Sequence, residues 1–546
     1  MPTTPLNLVL VVPGDTLPRW QYVLVQRLLK LPVLRPVLLL QGTPSSLPAT
    51  HWQRGLQPLR WLDALLWCRH PARALQPLAV QGLKRLPQGH GLDTSYLQQR
   101  FQRLRVDLVI NLAEQAELPD WLYLGSRYGV WQCFFEQPDR GFHPGPGVAA
   151  FARRERQWWA GVCRYARRTA QPQVMLLTSS STDRLSLNLS VEPMLWKLAG
   201  LWPQWLAAWA AQRQPGHELA RLIRCQAGRR TAVPSDVDKA DAVSNRSDSL
   251  SGTLLLKLAY RMLANPVQLA GQRLWSRPRW NLLYGAGSLD RLQVLEPPSD
   301  RFWADPCLIR EGERYFIFIE EWLYRERKGR IACLEWLGGE RFSAPVTVLE
   351  RDYHLSYPHV FRYQDNYYLI PESAENHSIE LYRCERFPDR WVFVKYLMRG
   401  VQAYDATLHY HQQRWWMFVN MRPHPGASPN DLLYLFSAES PLSSHWQAHP
   451  CNPVVTEVAR ARPAGRILQL NGKLYRPSQN CAGSYGRGLN LNRIVEWNER
   501  CYEEQTLCHH LPEHVAGLDG MHTFSMVGDR IVSDGIGRQR HWKRVR

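Results

Sequence analysis

The stretch RFWADPCLIREGERYFIFIEEW, Arg301 to Trp322, decides how the second half of this chain folds. It begins with an acidic or polar group, continues through an apolar step and a turn into an aromatic-rich strand, and ends on polar residues. The pattern returns in SYPHVFRYQDNYYLIPES (Ser356–Ser373), AYDATLHYHQQRWWMFVN (Ala403–Asn420), RPAGRILQLNGKLYRPSQN (Arg462–Asn480) and GLDGMHTFSMVGDRIVSDG (Gly517–Gly535). The chain therefore carries five copies of one strand–turn–strand unit.

The spacing of the copies identifies the architecture. Aligned on their turns, Asp305 falls opposite Tyr357, Asp405, Gly465 and Met521, at intervals of 52, 48, 60 and 56 residues. A period of about 50 residues leaves room for four strands of about five residues with their turns, as in a propeller blade. A β-sandwich would explain the alternating strands but not five similar units at near-regular spacing. We predict a five-bladed β-propeller over residues 280–546.

The first 212 residues alternate between apolar strands and amphipathic helices. Strands are expected at Leu6–Val12, Val37–Leu40, Val106–Leu112 and Val130–Phe134, and helices at Pro18–Lys30, Thr94–Arg105 and Pro119–Arg127. Continuous apolar strands between helices predict a parallel sheet covered on both faces. The fold class is thus multidomain, a Rossmann-like α/β domain at residues 1–212 followed by an all-β propeller. No GxGxxG follows a strand, so no dinucleotide and no other cofactor is expected.

The last segments of the first domain are basic and aromatic, and two further segments separate it from the propeller. Phe151–Arg168 is expected to form a basic helix, and Glu192–Gln212 a tryptophan-rich helix that breaks at Pro203. Polar residues 213–250 predict a flexible linker, and residues 251–279 an amphipathic basic helical connector. Such helices serve either as packed or solvated faces, or as surfaces for phosphate and lipid head groups.

Charge and cysteine usage restrict the partners. The chain has 67 basic and 48 acidic residues, a net charge of +19, which favours an anionic substrate or an anionic membrane surface. Nucleic acid is not expected, because neither a lysine-rich tail nor zinc-finger spacing is present. The 11 cysteines form no CxxC pair, and Leu6–Val12 is interpreted as a strand rather than a signal peptide. We expect a cytoplasmic protein, peripheral at the inner face of the membrane.

The repeat alignment also predicts a site. Inner strands of propeller blades line one channel, so polar residues at equivalent positions converge although they are about 50 residues apart. The converging residues are expected to be Asp305, His359, Glu372, Asp405, Arg462, Asp519 and His522. Arg476 and Asp534 are expected nearby, and Glu320, Asn420 and Asn480 align with Glu372 at the strand exits. Each residue also has a structural interpretation, since aspartates often cap turns and brace loops.

A metal centre is not expected from this set. His359, His409, His411 and His522 could meet in the channel, but they form no closely spaced ligand motif. The Gly-rich run GSYGRG, Gly483–Gly488, lacks the lysine and helix of a phosphate-binding loop and is interpreted as a turn.

One stretch of the first domain resembles the core of the formyltransferase fold. The sequence VDLVINLAEQAELPDWLYLGSRYGVWQCFF, residues 106–135, is followed by HPGPG at His143–Gly147. The resemblance implies a formyltransferase-like α/β domain. Formyl transfer in that family uses an Asn, a His and an Asp, whereas the strand here has WQCFF, Trp131–Phe135, where the Asn and His would stand. The expected roles are therefore partner binding, support of the propeller, or a different transfer chemistry.

The propeller is similar to five-bladed glycosidases that act on arabinose, xylose and fructose. The shared features are the acidic ADP motif in the first copy, an acidic residue opening the third copy, and a Glu between them. This resemblance implies Asp305 as base, Asp405 as an orienting and tuning residue, and Glu372 as acid. Such chemistry requires two carboxyl groups flanking a glycosidic bond, with the pKa of the acid raised.

A more detailed resemblance rests on FWADPCLI, SYPHVF, YLIPES, ARPAG and DGMHT. These motifs resemble the N-terminal domain of plant glucosamine inositolphosphorylceramide transferases and its bacterial relatives. In the plant proteins a separate C-terminal glycosyltransferase domain follows, and we expect no such domain in this chain, whose sequence ends at Arg546. His359, Arg462 and His522 depart from a plain glycosidase site and would suit a sugar phosphate or nucleotide sugar.

Together these features predict a carbohydrate-active protein of cell-envelope glycan biosynthesis, a glycosyltransferase that uses an activated sugar in the propeller channel. The expected catalytic residues are Asp305, Asp405 and Glu372. The expected substrate-binding residues are His359, Arg462, Arg476, Asp519 and His522. The expected partners are a sugar or nucleotide sugar and an anionic membrane surface or lipid-linked acceptor. Two alternatives stay open, a glycoside hydrolase of the arabinan- or fructan-cleaving type and a non-catalytic glycan-binding module.

Overall fold

The structure, a computed structural model, describes most of the chain in separate stretches. The described residues are 4–41, 73–79, 88–90, 95–113, 118–136, 145–168, 171–211, 276–510 and 517–540, with the single positions 58, 63, 260 and 264. The chain divides into two compact units, Met1–Pro266 with Pro423–Ser428, and Val267–Arg422 with Pro429–Arg546.

The first unit is built on a seven-stranded mixed sheet. Its strands are β1 Leu6–Val12, β3 Leu34–Gln41, β5 Gln88–His90, β6 Leu108–Asn111, β7 Val130–Phe135, β8 Gln157–Tyr165 and β9 Gln173–Ser181. They lie in the order β5–β3–β1–β6–β7–β8–β9. The first five strands in this order pair in parallel, and β8 and β9 add antiparallel pairs at one edge. A separate antiparallel pair joins β2 Thr16–Pro18 to β4 Pro77–Ala79.

Five helices of this unit have described bounds. They are α1 Arg19–Leu29, α2 Ser95–Arg103, α3 Asp120–Leu124, α4 Val148–Arg153 and α5 Leu187–Ala211. No helix within the described residues is long and apolar enough to cross a membrane. The four predicted strands and three predicted helices all have counterparts here, with boundaries that shift by a few residues. The mixed sheet with few helices does not establish a Rossmann-like or formyltransferase-like domain, which stays a prediction.

Two predicted helices are corrected. The basic helix expected over Phe151–Arg168 is only the end of α4, because Arg154 adopts a left-handed conformation (φ 60°) that ends the helix. Strand β8 follows, and its apolar residues Trp158, Ala160 and Val162 are buried at a period of two, which is the strand period. The tryptophan-rich helix does not break at Pro203, since α5 continues through it to Ala211 with its described tryptophans buried.

The predicted linker at 213–250 lies outside the described residues. So does the predicted connector at 251–279, apart from Tyr260, Ala264 and residues 276–279. The domain boundaries proposed from the sequence therefore stay predictions.

The second unit is the predicted five-bladed propeller, and its blades are five antiparallel sheets. Blade 1 contains β12 Arg301–Glu311, β13 Arg314–Leu323, β14 Lys328–Gly338, β15 Arg341–Phe342 and β16 Val346–Leu349. Blade 2 contains β17 Ser356–Tyr363, β18 Asn366–Ser373, β19 Ser378–Arg386 and β20 Arg390–Arg399. Blade 3 contains β21 Ala403–His411, β22 Arg414–Met421, β23 Leu433–Ala438 and β24 Gln447–Ala448. Blade 4 contains β25 Leu468–Leu470, β26 Lys473–Asn480, β27 Gly488–Trp497 and β28 Tyr502–His510.

Blade 5 closes the ring, because it takes strands from both ends of the repeat region. It contains β10 Ser276–Ala286, β11 Gln293–Leu295, β29 Leu518–Gly520, β30 Phe524–Val527 and β31 Arg530–Arg540. Strand β10 precedes blade 1 in the chain, yet it pairs with the last strand, β31, from Ser276 opposite Arg540 to Ala286 opposite Arg530. The closure leaves no open edge between the first and last blades.

The core of the propeller lies between successive blades. Phe316 and Phe318 of blade 1 pack in one cluster with Val360 and Tyr382 of blade 2. Similar clusters join blades 3 and 4, blades 4 and 5, and blades 5 and 1. Aromatic and branched side chains alternating along the strands supply these interfaces, which accounts for many of the aromatic residues noted in the sequence.

Candidate functional site

A repeated backbone irregularity shapes the centre of the propeller. The aligned residues Asp305, Tyr357, Asp405 and Gly465 all have positive φ, of 52°, 43°, 56° and 140°. In blades 1 to 3 the pairing of the first two strands shifts register at this point. A β-bulge of this kind re-aims a side chain out of the regular alternation. Positive φ at non-glycine residues costs on the order of 1–2 kcal/mol each and is often retained at functional sites.

Asp305 is held by hydrogen bonds from two other blades. Its Oδ1 accepts from the Thr523 hydroxyl at 2.7 Å, and its Oδ2 accepts from the backbone N–H of Tyr357 at 3.2 Å. Its own N–H donates to Asp534 at 2.8 Å. Burial raises the pKa of Asp305 to about 6, against the opposing effect of His522. The carboxyl group therefore titrates near neutral pH, where it can accept and release a proton.

His522 bridges two carboxylates. Its Nδ1 lies 2.6 Å from Asp534 Oδ2, its Nε2 lies 3.5 Å from Asp305 Oδ1, and its ring stacks on Trp280 with centroids 4.0 Å apart. Burial alone would lower the pKa of His522, but the charges of Asp534 and Asp305 outweigh it and raise the pKa. The imidazole is thus held in a fixed orientation toward Asp305.

The same three residues are the one group among the described residues that could hold a metal ion. Ligand atoms of Asp305, His522 and Asp534 all lie within 4.8 Å of one another. The oxygens of Asp534, however, already accept the backbone N–H groups of Asp305, His522 and Thr523. Both carboxylate oxygens of Asp534 are therefore already satisfied by hydrogen bonds from the protein.

Asp405 and Glu372 share one arginine. Arg462 Nε lies 2.6 Å from Asp405 Oδ2, and its other nitrogens donate to Asp405 Oδ1 at 3.2 Å, Glu372 Oε2 at 3.3 Å and Asn430 at 2.8 Å. Gln479 adds a further hydrogen bond to Asp405 at 2.9 Å. Burial, and then the negative charge of Asp405, raise the pKa of Glu372 well above its ordinary value despite Arg462.

Glu320 is a further buried carboxyl group. It lies on β13 opposite Ala304, next to the bulge that carries Asp305, and is 7% exposed. The imidazole of His354 lies close to it, with Nε2 3.8 Å from Glu320 Oε1. Burial, followed by the negative charge of Asp305, raises the pKa of Glu320 well above its ordinary value.

These groups open into one cavity of about 370 Å³. It is lined by Trp280, Phe302, Asp305, Glu320, Trp322, His354, Ser356, Glu372, Tyr404, Arg462, Tyr485 and His522. Four of the five Phe, Trp and Tyr residues form two pairs, Trp280 with Tyr485, and Phe302 stacked on Trp322 with centroids 5.7 Å apart. Aromatic faces beside carboxyl groups suit a sugar ring, which presents apolar C–H faces and a rim of hydroxyl groups.

Of the sequence-predicted site residues, Asp305, Glu372, Arg462 and His522 line this cavity. Asp405 does not line the cavity, but it is paired with Arg462, which does. The structure thus brings together all three predicted catalytic residues and two of the five predicted binding residues.

His359, Arg476 and Asp519 do not line this cavity. The His359 ring is buried and accepts the backbone N–H of Leu408 at 3.1 Å, which joins blades 2 and 3. Arg476 forms a buried ion pair with Glu504 at 2.6 Å. Asp519 lies at the surface, paired with Arg538. A repeat alignment fixes the strand position of a residue but not the face to which its side chain points, which explains these three differences.

The sequence-based site set omitted several residues that the structure places in or beside the cavity. Glu320 lines the cavity, and it aligns with Glu372 near the end of the second strand of its blade. That alignment could have identified Glu320 as a site residue from the sequence. Asp534, expected nearby, is the acceptor that positions Asp305, His522 and Thr523. The aromatic residues Trp280 and Tyr485 come from segments without a repeat signature, and no sequence signal separates them from core aromatics.

Comparison with known proteins supports the propeller resemblance. Residues 292–524 match the family described as "Glucosamine inositolphosphorylceramide transferase 1, N-terminal". The protein named glucosamine inositolphosphorylceramide transferase 1 from Oryza sativa subsp. japonica is 33% identical over 210 residues, which cover 38% of this chain and 28% of the rice protein. The Arabidopsis thaliana protein of the same name is 30% identical over 210 residues, 38% of this chain and 27% of its own length. The chain thus spans little more than a quarter of these relatives.

Solved structures give more distant likenesses. A family 117 glycoside hydrolase from Zobellia galactanivorans is 11% identical, with a TM-score of 0.33, covering 49% of this chain and 91% of that one. An α-L-arabinanase from Cellvibrio cellulosa, solved with arabinohexaose, is 15% identical, with a TM-score of 0.31, covering 44% and 92%. Likenesses this low carry no argument about the site.

Proposed function

We propose that the propeller is the carbohydrate-active part of a glycosyltransferase-type enzyme, with the sugar bound in the central cavity. The observation that supports this most strongly is the cavity itself, in which aromatic rings surround carboxyl groups of two different kinds. Asp305 titrates near neutral pH, whereas Asp405 is paired with Arg462. The names of the matched relatives as transferases favour the same chemistry.

In the proposed mechanism Asp305 acts as the base. With a pKa of about 6 it is mostly ionised at neutral pH, and it accepts a proton from the acceptor hydroxyl as that oxygen attacks the anomeric carbon. Thr523 and the Tyr357 N–H hold the carboxylate in place. A base whose orientation is fixed before the substrate binds loses little free energy to reorganisation during the reaction.

Arg462 has a different role in this proposal from the one expected from sequence. It donates four hydrogen bonds to Asp405, Glu372 and Asn430, so little of its guanidinium is left for a phosphate leaving group. We assign it to holding Asp405 and Glu372 side by side. The cavity consequently presents acidic groups to its ligand, which favours an uncharged sugar ring over an anionic one.

A second candidate function is glycoside hydrolysis. It is favoured by the raised pKa values of Glu372 and Glu320, because a carboxyl group that keeps its proton can protonate an alcohol leaving group. Water would then replace the acceptor hydroxyl beside Asp305. A non-catalytic glycan-binding module, the third function considered, would use the same aromatic faces without needing an ionised Asp305.

The test is product analysis with the purified chain and its Asp305→Asn variant. Nucleotide sugars and uncharged glycosides are supplied as donors, each with and without an oligosaccharide acceptor. A longer glycan formed only with acceptor, and lost in Asp305→Asn, supports transfer. Release of free sugar without acceptor, lost in the same variant, supports hydrolysis. Binding without any product from any donor would leave a binding module and contradict the enzyme proposal.

The membrane and domain proposals rest on sequence alone. Association with an anionic membrane surface follows from the net charge of +19 and the predicted connector at 251–279. We expect co-sedimentation with vesicles that contain anionic lipid, weakened by salt, and none with neutral vesicles. Equal partition to both kinds of vesicle would contradict an electrostatic contact. A lipid-linked acceptor and a role in cell-envelope glycan synthesis belong to the same proposal.

A further inference from the structure

Glu320 is the cavity carboxyl group with the fewest fixed contacts. Asp305 accepts hydrogen bonds at both oxygens, and Asp405 and Glu372 both accept from Arg462. Among the described residues, the Glu320 carboxyl group pairs only with His354, at 3.8 Å, which is too long for a hydrogen bond. It is nonetheless 7% exposed and lines the cavity, so that a ligand in the cavity would be its hydrogen-bond partner.

The contacts of Glu320 and Glu372 suit them to different tasks. Burial and the negative charge of Asp405 raise the pKa of Glu372, while Arg462, 3.3 Å from its Oε2, opposes that rise by stabilising the ionised form. Glu320 lines the cavity with Phe302, Trp322 and His354, and burial raises its pKa without a guanidinium paired to it among the described residues. A proton donor must stay protonated until the leaving group departs, and the burial of Glu320 favours its protonated form.

His354 completes the arrangement. Its Nδ1 accepts the backbone N–H of Gly329 at 3.0 Å, so in the neutral ring the proton is on Nε2, the atom nearer to Glu320. Burial lowers the pKa of His354 and keeps the ring neutral, against the opposing effect of Glu375. A neutral N–H donor at this position leaves the Glu320 proton in place, and a small shift would let it stabilise the carboxylate formed after proton transfer.

We propose that Glu320 is the proton donor of this site and that its donor substrates are glycosides with an alcohol leaving group. The inference rests on the proposed glycosyl-transfer function. The Glu320 proton passes to the glycosidic oxygen as the bond from the anomeric carbon to that oxygen breaks. The acceptor oxygen, or water, forms the new bond to the anomeric carbon and gives its proton to Asp305. The products are a new glycoside and a free alcohol, and exchange with solvent returns Glu320 and Asp305 to their starting states.

The leaving group provides the test. Nitrophenyl glycosides release a stable phenolate and need little protonation, whereas alkyl glycosides of the same sugar depend on it. We expect Glu320→Gln to lower the rate on alkyl glycosides about 10²- to 10⁴-fold and to affect nitrophenyl glycosides far less. The matched variant Glu372→Gln should change both rates by a similar factor. Equal effects of Glu320→Gln on both substrates would assign Glu320 to positioning or structure and overturn the proposal.

A second measurement does not depend on turnover. In protein with carbon-13-labelled glutamate carboxyl carbons, a signal of a protonated carboxyl group at neutral pH should disappear in Glu320→Gln. If every such signal persists, the proposal is overturned. If the wild type acts on glycosides and Asp305→Asn does not, but the alkyl-to-nitrophenyl ratio is unchanged in Glu320→Gln, only the assignment of Glu320 fails. If the wild type cleaves no glycoside in the panel, this inference fails and the donor must be sought among nucleotide sugars.

Discussion

At the scale of single residues, equivalent positions of the repeat have acquired different chemistry. Asp305 and Asp405 occupy the same bulge in blades 1 and 3, with φ values of 52° and 56°. Asp405 is bound by Arg462 and Gln479, whereas Asp305 accepts from a hydroxyl and a backbone N–H. The pKa of Asp305 therefore reflects burial more than ion pairing. The surroundings of each aspartate, more than its place in the repeat, decide what it can do.

This difference predicts the pH dependence of activity. Asp305 must be ionised to accept a proton, so the acidic limb of the rate profile should rise as the pH passes through about 6. The Thr523 hydroxyl lowers the pKa of Asp305, so Thr523→Val should move this limb to higher pH. Rates measured from pH 4 to 9 for the two proteins test the assignment. A limb near the ordinary aspartate pKa, or one that Thr523→Val leaves in place, would contradict it.

Arg462 predicts a difference in stability. Arg462→Met leaves the buried Asp405 carboxylate without its counter-charge and removes the hydrogen bond to Glu372, which should lower the free energy of unfolding by about 3–5 kcal/mol. The matched variant Arg538→Met breaks the exposed pair with Asp519 and should cost about 1 kcal/mol or less. Urea unfolding at pH 7 compares the two. Equal losses would mean that the central ion pairs do not stabilise the propeller more than a surface pair does.

At the scale of elements, the bulges in the first strands of blades 1 to 3 change the direction in which the side chains at that position point. In blade 4 the position is Gly465, where a Cβ would lie 2.0 Å from the carbonyl oxygen of Phe524 in blade 5. A side chain cannot fit without moving one of these blades. The positive φ of 140° adds strain for any residue other than glycine.

Gly465→Ala should therefore destabilise the propeller by about 2 kcal/mol or more. Gly472 also has a positive φ, of 71°, but nothing lies within 4 Å of a Cβ there. Gly472→Ala is thus the matched control and should cost about 1 kcal/mol from backbone strain alone. Melting temperatures of the two variants separate the clash from the strain. A Gly465→Ala protein as stable as Gly472→Ala would show that the contact with Phe524 is easily relieved.

The sequence predicted the elements better than the side-chain directions. The alternating patterns and turns located β12, β13, β17, β18, β21 and β22 because each strand pair has one face against the next blade. The same patterns could not distinguish His359 and Arg476, which support strand contacts, from His522 and Arg462, which reach the cavity. The stretch Phe151–Arg168 looked like one basic helix because most of its arginines lie before and after β8, Gln157–Tyr165, and the strand itself is mainly apolar.

At the scale of the whole molecule, the propeller depends on closure by its two ends. Strand β31 pairs with β10 along its length and also carries Asp534, which positions Asp305 and His522. The ring could be predicted from the sequence because five similar units, spaced 48 to 60 residues apart, are typical of the blades of a propeller. No comparable period exists in residues 1–212, and there the prediction reached individual strands and helices but not an established fold.

Closure predicts the effect of truncation. A chain ending at Asp529 lacks β31 and should lose both the cooperative unfolding transition of the propeller and its activity. A chain ending at Arg540 keeps the strand and should unfold as the full chain does. Scanning calorimetry of the two proteins makes the comparison. A cooperative transition of unchanged temperature in the shorter chain would mean that the ring does not need this strand.

The most direct measurement is a crystal structure of the Asp305→Asn variant with an uncharged glycoside that the wild type turns over. We predict electron density for the sugar ring in the cavity of about 370 Å³, in contact with Trp280 or Trp322, with its glycosidic oxygen next to Glu320. A sugar bound at saturation anywhere else on the protein, with this cavity empty, would contradict the assignment of the propeller centre as the glycosyl site.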